Sequence, residues 1–142
     1  PLISKFTFQK ASRTKRVATE RLEATLDNDI AGKLVETAKV TNGVLTLKFN
    51  NKSTFKTEDF ALHTEEALLE GSEAQEHVVT LQNAKVLNVE YYDPDFLGRE
   101  PGPKGILINF NNRIVLECLA GGALTRHVNN QDVKVDQFPL FE

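Results

Sequence analysis

Four side chains in this sequence are suited to nucleophilic or metal chemistry: His63, His77, His127 and Cys118. Their spacing argues against both. A zinc site takes ligands at short, fixed intervals, and none of the three histidines has a close second ligand at such an interval. A nucleophilic cysteine needs a nearby histidine or electropositive surroundings. Cys118 instead stands in an apolar run with Leu116 and Leu119, which predicts a buried thiol acting as a small hydrophobe. One cysteine cannot form an internal disulfide, so a reducing, cytoplasmic setting is the simpler expectation, or a virion if the chain is a phage component. Phosphate loops, dinucleotide fingerprints and nucleophile elbows are absent. No catalytic residue, cofactor or metal is therefore assigned, and the chain reads as a non-enzyme.

Two enzymatic alternatives can still be framed. Pro94-Asp95 with Asp132-Val133-Lys134 matches the letters of a Pro-Asp…(Asp/Glu)-x-Lys nuclease core, where two acids hold Mg²⁺ and a lysine sits by the attacking water. Glu90 and Asp93 would add carboxylates. Against this, Pro94-Asp95 falls in a proline-glycine loop rather than a strand. The opening PLISKFTF resembles the start of the tautomerases, which implies a catalytic Pro1 amine. The second strand and long helix of that family are missing.

Features suited to binding are clearer. Residues 1–16 carry five basic side chains and no acid, while the remainder carries 12 basic and 20 acidic ones. The chain is a basic arm on an acidic body. Lys10, Arg13, Lys15 and Arg16 would either form a solvated loop or first helical turn or meet an anionic surface, nucleic acid or the acidic face of a neighbouring subunit. Aromatics do not interleave with these charges, so a base-stacking platform is unsupported. The long loop 92–105, stiffened by Pro94, Pro101 and Pro103, either offers Phe96 and Leu97 as an apolar tip with Arg99 beside them or folds them back onto the core. The tail ends in Phe138, Leu140 and Phe141, which must dock on this chain or on a neighbour. No run approaches the roughly 18 apolar residues of a membrane helix, and the broken apolar start is no signal peptide.

The elements that must position these groups are mostly strands. Leu2–Phe8, Leu34–Val40, Leu45–Phe49, Lys52–Thr57, Ile106–Phe110 and Ile114–Leu119 read as strands, with an edge strand at Val133–Val135. Val78–Tyr92 reads as one or two more. Asn42-Gly43 suits a tight hairpin turn. Helices are expected at about 16–28, where a strand is the alternative, and at 64–76, with Thr64 as N-cap and Ser72–Gln75 as a capping box.

Two segments share a pattern. IAGKLVETAKV with VLTLKFNNKSTF lies over LQNAKVLNVEY with GILINFNNRIVL, at an offset of 51 residues and then of 61. Ten extra residues thus precede the second Asn-Asn turn. The expected fold is α+β and mainly antiparallel: a sandwich or partly open barrel from two similar strand–hairpin units, 30–57 and 81–119, with residues 128–142 as final strand and tail of a single domain. The functional expectation is a structural or interaction protein that forms homo-oligomers or joins a multi-subunit assembly, a phage virion component being one possibility. Nucleic acid would bind through the arm, and no membrane is involved. The alternative is a small inhibitor or immunity-type protein with one protein target.

Overall fold

The computed structural model describes residues 26–92, 105–119, 122–128 and 130–137. The basic arm with Lys10, Arg13, Lys15 and Arg16, the strand expected at Leu2–Phe8, and Pro1 lie outside the described residues. So do residues 93–104 of the long loop, with Phe96, Leu97 and Arg99, and the tail residues Phe138, Leu140 and Phe141.

A helical turn, α1, occupies residues 26–30. Among the described residues ten strands follow: β1 (Val35–Thr41), β2 (Val44–Phe49), β3 (Thr54–Thr57), β4 (Phe60–His63) and β5 (Leu68–Glu70), then β6 (Val86–Tyr92), β7 (Gly105–Phe110), β8 (Val115–Cys118), β9 (Ala123–Val128) and β10 (Gln131–Gln137). Between β5 and β6 lie helix α2 (Gly71–His77) and a 3₁₀ turn (Val78–Leu81). All pairings among these strands are antiparallel. The first sheet has the order β1-β2-β3-β9-β10 and the second β5-β4-β8-β7-β6. Each sheet thus joins a three-strand meander from one half of the chain to a hairpin from the other half. The mainly antiparallel α+β architecture with two short helices is the one the sequence predicts.

Inward-facing residues of both sheets share one core. Leu45, Leu47, Phe49, Phe55 and Leu124 come from the first sheet, and Ile106, Ile108, Phe110, Leu116, Phe60 and Leu62 from the second. Alternation in β2 and β3 places these residues on one face, as the two-residue period of a strand requires. The meanders turn on Asn-Asn with the same bonding. In the first turn, Lys52 N donates to Phe49 O and Phe49 N to Ser53 O. In the second, Arg113 N donates to Phe110 O and Phe110 N to Ile114 O. Lys52 (φ 71°) and Arg113 (φ 68°) both close their turns in the left-handed region, the usual end of a three-residue hairpin loop.

The asparagines do more than turn the chain. The leading asparagine of each pair clamps the start of its own meander: Asn50 Oδ1 accepts from Leu34 N (3.3 Å) and Asn111 Oδ1 from Lys85 N (3.0 Å). The second asparagine reaches the preceding helical turn, Asn51 Nδ2 donating to Asp29 O (2.8 Å) and Asn112 Nδ2 to Thr80 O (2.9 Å). Even the irregularities match, with register shifts between Val35 and Thr37 and between Val86 and Asn88.

Equivalent residues also meet each other. Leu34 and Lys85 form an antiparallel bridge. Around it Val35 N donates to Ala84 O and Val86 N to Lys33 O, while Gly32 N donates to Val86 O and Asn83 N to Val35 O. Thr57 and Cys118, one on each inner face, share a side-chain hydrogen bond. These self-matching contacts mark a local two-fold axis relating the meanders.

Three sequence expectations shift. The helix at 64–76 shortens to Gly71–His77, because Leu68–Glu70 pairs with β4. Thr64 caps a hairpin loop instead of a helix: its Oγ1 accepts from Ala67 N (3.0 Å) and Glu66 N (3.3 Å). Glu70, with extended backbone, precedes α2, and no side chain caps that helix. The stretch from Val78 to Leu81 is a 3₁₀ turn rather than a strand, with Val78 and Leu81 buried. At Gly121-Gly122, where a strand break is expected, Gly122 lies so close to β3 that a Cβ would fall 2.5 Å from Lys56 O. Among the described residues, no helix is long and apolar enough to cross a membrane.

Candidate interaction surface

The outer face of the first sheet carries two adjacent cross-strand rows that run through β1, β2, β3 and β9. One row pairs Lys39 with Thr46, Thr46 with Lys56, and Lys56 with Ala123. The next pairs Thr37 with Lys48, Lys48 with Thr54, and Thr54 with Thr125. Lys39, Lys48 and Lys56 are exposed and the threonines half-buried. β-branched threonines fit a pleated surface and leave the lysine stems standing between them. Lys39 and Lys56 flank one strand, so their Cα atoms are about 10 Å apart, with Lys48 diagonal to both. None of these ammonium groups has an ion-pair partner among the described residues. Toward the far edge, Asp132 is engaged by His127 Nδ1 at 2.8 Å.

The second sheet presents different chemistry at the same places. Lys39 corresponds to Glu90, Lys48 to Asn109 and Lys56 to Glu117, while Thr46 and Thr54 correspond to Leu107 and Val115. Ala61, His63, Leu107, Val115 and Glu117 on this side are buried. Glu117 Oε1 and His63 Nε2 lie 2.6 Å apart, with both side chains essentially inaccessible. A carboxylate can be held there only if it is paired, since unpaired charge in a dry interior is costly. Asn109 Nδ2 donates to Asn88 Oδ1 (2.6 Å) and to Glu90 Oε1 (3.2 Å), extending the polar row to the sheet edge.

A third region is acidic. The β4–β5 loop, β5 and α2 expose Glu65, Glu66, Glu70, Glu73 and Glu76. Arg113 Nη1 donates to Glu65 Oε1 at 2.6 Å, and this bond raises the arginine pKa. The other four glutamates have no counter-ion among the described residues. A shallow cleft of about 420 Å³ opens here, lined by residues 64–67, Leu69, His77 and residues 112–114.

Cys118 and His63 lie on opposite faces of the second sheet. Cys118 pairs with Phe60, on the inner side, whereas His63 pairs with Val115, on the outer side. A Cys–His couple is thus ruled out by strand parity. Burial pushes the Cys118 thiol far up, with Glu117 adding to the shift and the Thr57 hydrogen bond opposing it. This is the buried, inert thiol the sequence predicts. Of the nuclease letters, Glu90 is on β6 and Asp132 on β10, in different sheets. No cluster of three or more metal-ligating side chains occurs among the described residues.

Every binding residue picked from the sequence (Lys10, Arg13, Lys15, Arg16, Phe96, Leu97, Arg99, Phe138, Leu140 and Phe141) lies outside the described residues. The lysine face carries no sequence motif of its own. Its signal was the alternation Thr46, Lys48 and Thr54, Lys56, which puts like residues on one side of a hairpin. Bidentate pairing of Arg126 with Asp29, at 2.8 and 2.9 Å, was likewise out of reach, joining β9 to α1 across 97 residues. Comparison with protein families, curated proteins and solved structures finds no match.

Proposed function

We propose that this chain is a non-enzymatic structural or interaction protein that assembles with copies of itself or docks into a larger complex, such as a phage virion. The observation supporting this reading is the open lysine–threonine face. An exposed sheet surface carrying three cations with no ion-pair partner among the described residues adds little to its own fold, since the opposite side of the sheet supplies the core. A face of this kind suits a partner of opposite sign, whose charge steers and orients the encounter. The reading predicts salt-sensitive association. Light scattering at low ionic strength and rising protein concentration should show species larger than a monomer, shrinking as salt is added. A strict monomer across that range would refute self-assembly.

A second reading, an inhibitor or immunity-type protein with one basic protein target, draws on the exposed glutamates of residues 65–76. It predicts capture of a single heterologous partner without self-association, lost when Glu70, Glu73 and Glu76 are reversed to lysine.

A further inference from the structure

We infer that the lysine face of the first sheet docks onto the acidic edge formed by β5 and α2 of a second copy of this chain. The inference rests on the self-assembly reading and names its contact. Charge complementarity carries it. Lys39, Lys48 and Lys56 stand exposed on one face, and Glu70, Glu73 and Glu76 stand exposed along one short stretch. Both sets lack ion-pair partners among the described residues. Glu73 and Glu76 are three residues apart on a helix, hence neighbours on one side of it.

The two surfaces belong to different sheets: β5 is an edge strand of the second, and the lysines face outward from the first. Contact between two copies therefore uses two different patches, a head-to-tail arrangement that forms rings if it closes and filaments if it does not. Nucleic acid fits the lysine face less well. Its two rows hold threonine, lysine and alanine, with no aromatic ring for a base to stack on. Beyond residue 16 the chain carries eight more acidic than basic groups, which repels a polyanion.

The test uses two charge-reversed forms of the full chain, K39E/K48E/K56E and E70K/E73K/E76K. All six positions are exposed, so circular dichroism should match the wild type in both. Each form alone should associate at least about tenfold more weakly than wild type at low salt, because its two patches now carry the same sign. Mixed in equal amounts, they should assemble again, since every contact between unlike copies is attractive. If both variants assemble like the wild type, the contact lies elsewhere and this inference fails while the self-assembly reading stands. A monomeric wild type fails both. If wild type binds a labelled oligonucleotide through the three lysines, and the mixture of variants stays monomeric, the face is a nucleic-acid site and the inference is overturned.

Discussion

Lys56 and Glu117 occupy the same position in the two meanders, and they live in opposite worlds. Lys56 is exposed beside Thr46 and Thr54, whereas Glu117 is wholly buried against His63. The interiors of the two units do not differ this way: Leu45, Leu47 and Phe49 match Ile106, Ile108 and Phe110, all buried. The turn bonding also matches, atom for atom. Packing around the local two-fold constrains the inner faces jointly, because each inner face is the other's partner. The outer faces share no such contact and are free to differ. Chemistry that distinguishes the units is therefore concentrated on their outer sides.

The strongest way to break this comparison is to exchange the two residues. Glu117→Lys places an unpaired charge in a buried site and removes the partner of His63. Losing one member of a buried pair costs about 3–5 kcal/mol. Lys56→Glu, at an exposed site, should stay within about 0.5 kcal/mol. Urea denaturation of both variants measures the difference directly. Comparable losses at the two positions would mean that the lysine face is held by contacts of its own.

Much of the architecture was legible because alternation in β2 and β3 and the repeated Asn-Asn turns are local signals. The exchange of hairpins between sheets was not. Phe60-Ala61-Leu62-His63 is a short apolar run bounded by polar residues, consistent with a doubly buried strand, but nothing local says which sheet it joins. Leu68–Glu70 was hidden by helix-favouring glutamates around it; its pairing with β4, closed by the Thr64 loop, overrides that propensity. The lysine face needed the register of four strands at once, which no single segment carries.

A smaller, pH-dependent effect sharpens the contrast at the axis, where Thr57 and Cys118 meet. In the unfolded chain the thiol ionises near its ordinary value of 9.0, whereas burial keeps it protonated in the folded chain. Above that pH the unfolded state therefore holds fewer protons, and stability falls as pH rises. The thiol's contribution is intact below pH 9 and declines above it, by about 1.4 kcal/mol between pH 8 and pH 10. Cys118→Thr, which repeats the residue across the axis, removes this titration. The difference in unfolding free energy between wild type and variant should change by that amount over the same interval. A difference that stays flat from pH 8 to pH 10 would mean that Cys118 is reached by solvent in the native state.

The smallest effects test the symmetry itself. Asn50→Ala and Asn111→Ala each remove one side-chain acceptor from the start of a meander, at Leu34 N and Lys85 N. Both sites are exposed, so water replaces the lost bond and the cost should be near the low end for a hydrogen bond, about 0.5–1 kcal/mol. Asn111 should cost slightly more, since its bond is 3.0 Å against 3.3 Å. The two asparagines bracket one bridge, in which Leu34 pairs with Lys85. Loosening either side therefore strains the same junction, and the double variant should lose less than the sum of the single losses. Full additivity in thermal or urea denaturation would show that the two clamps act independently.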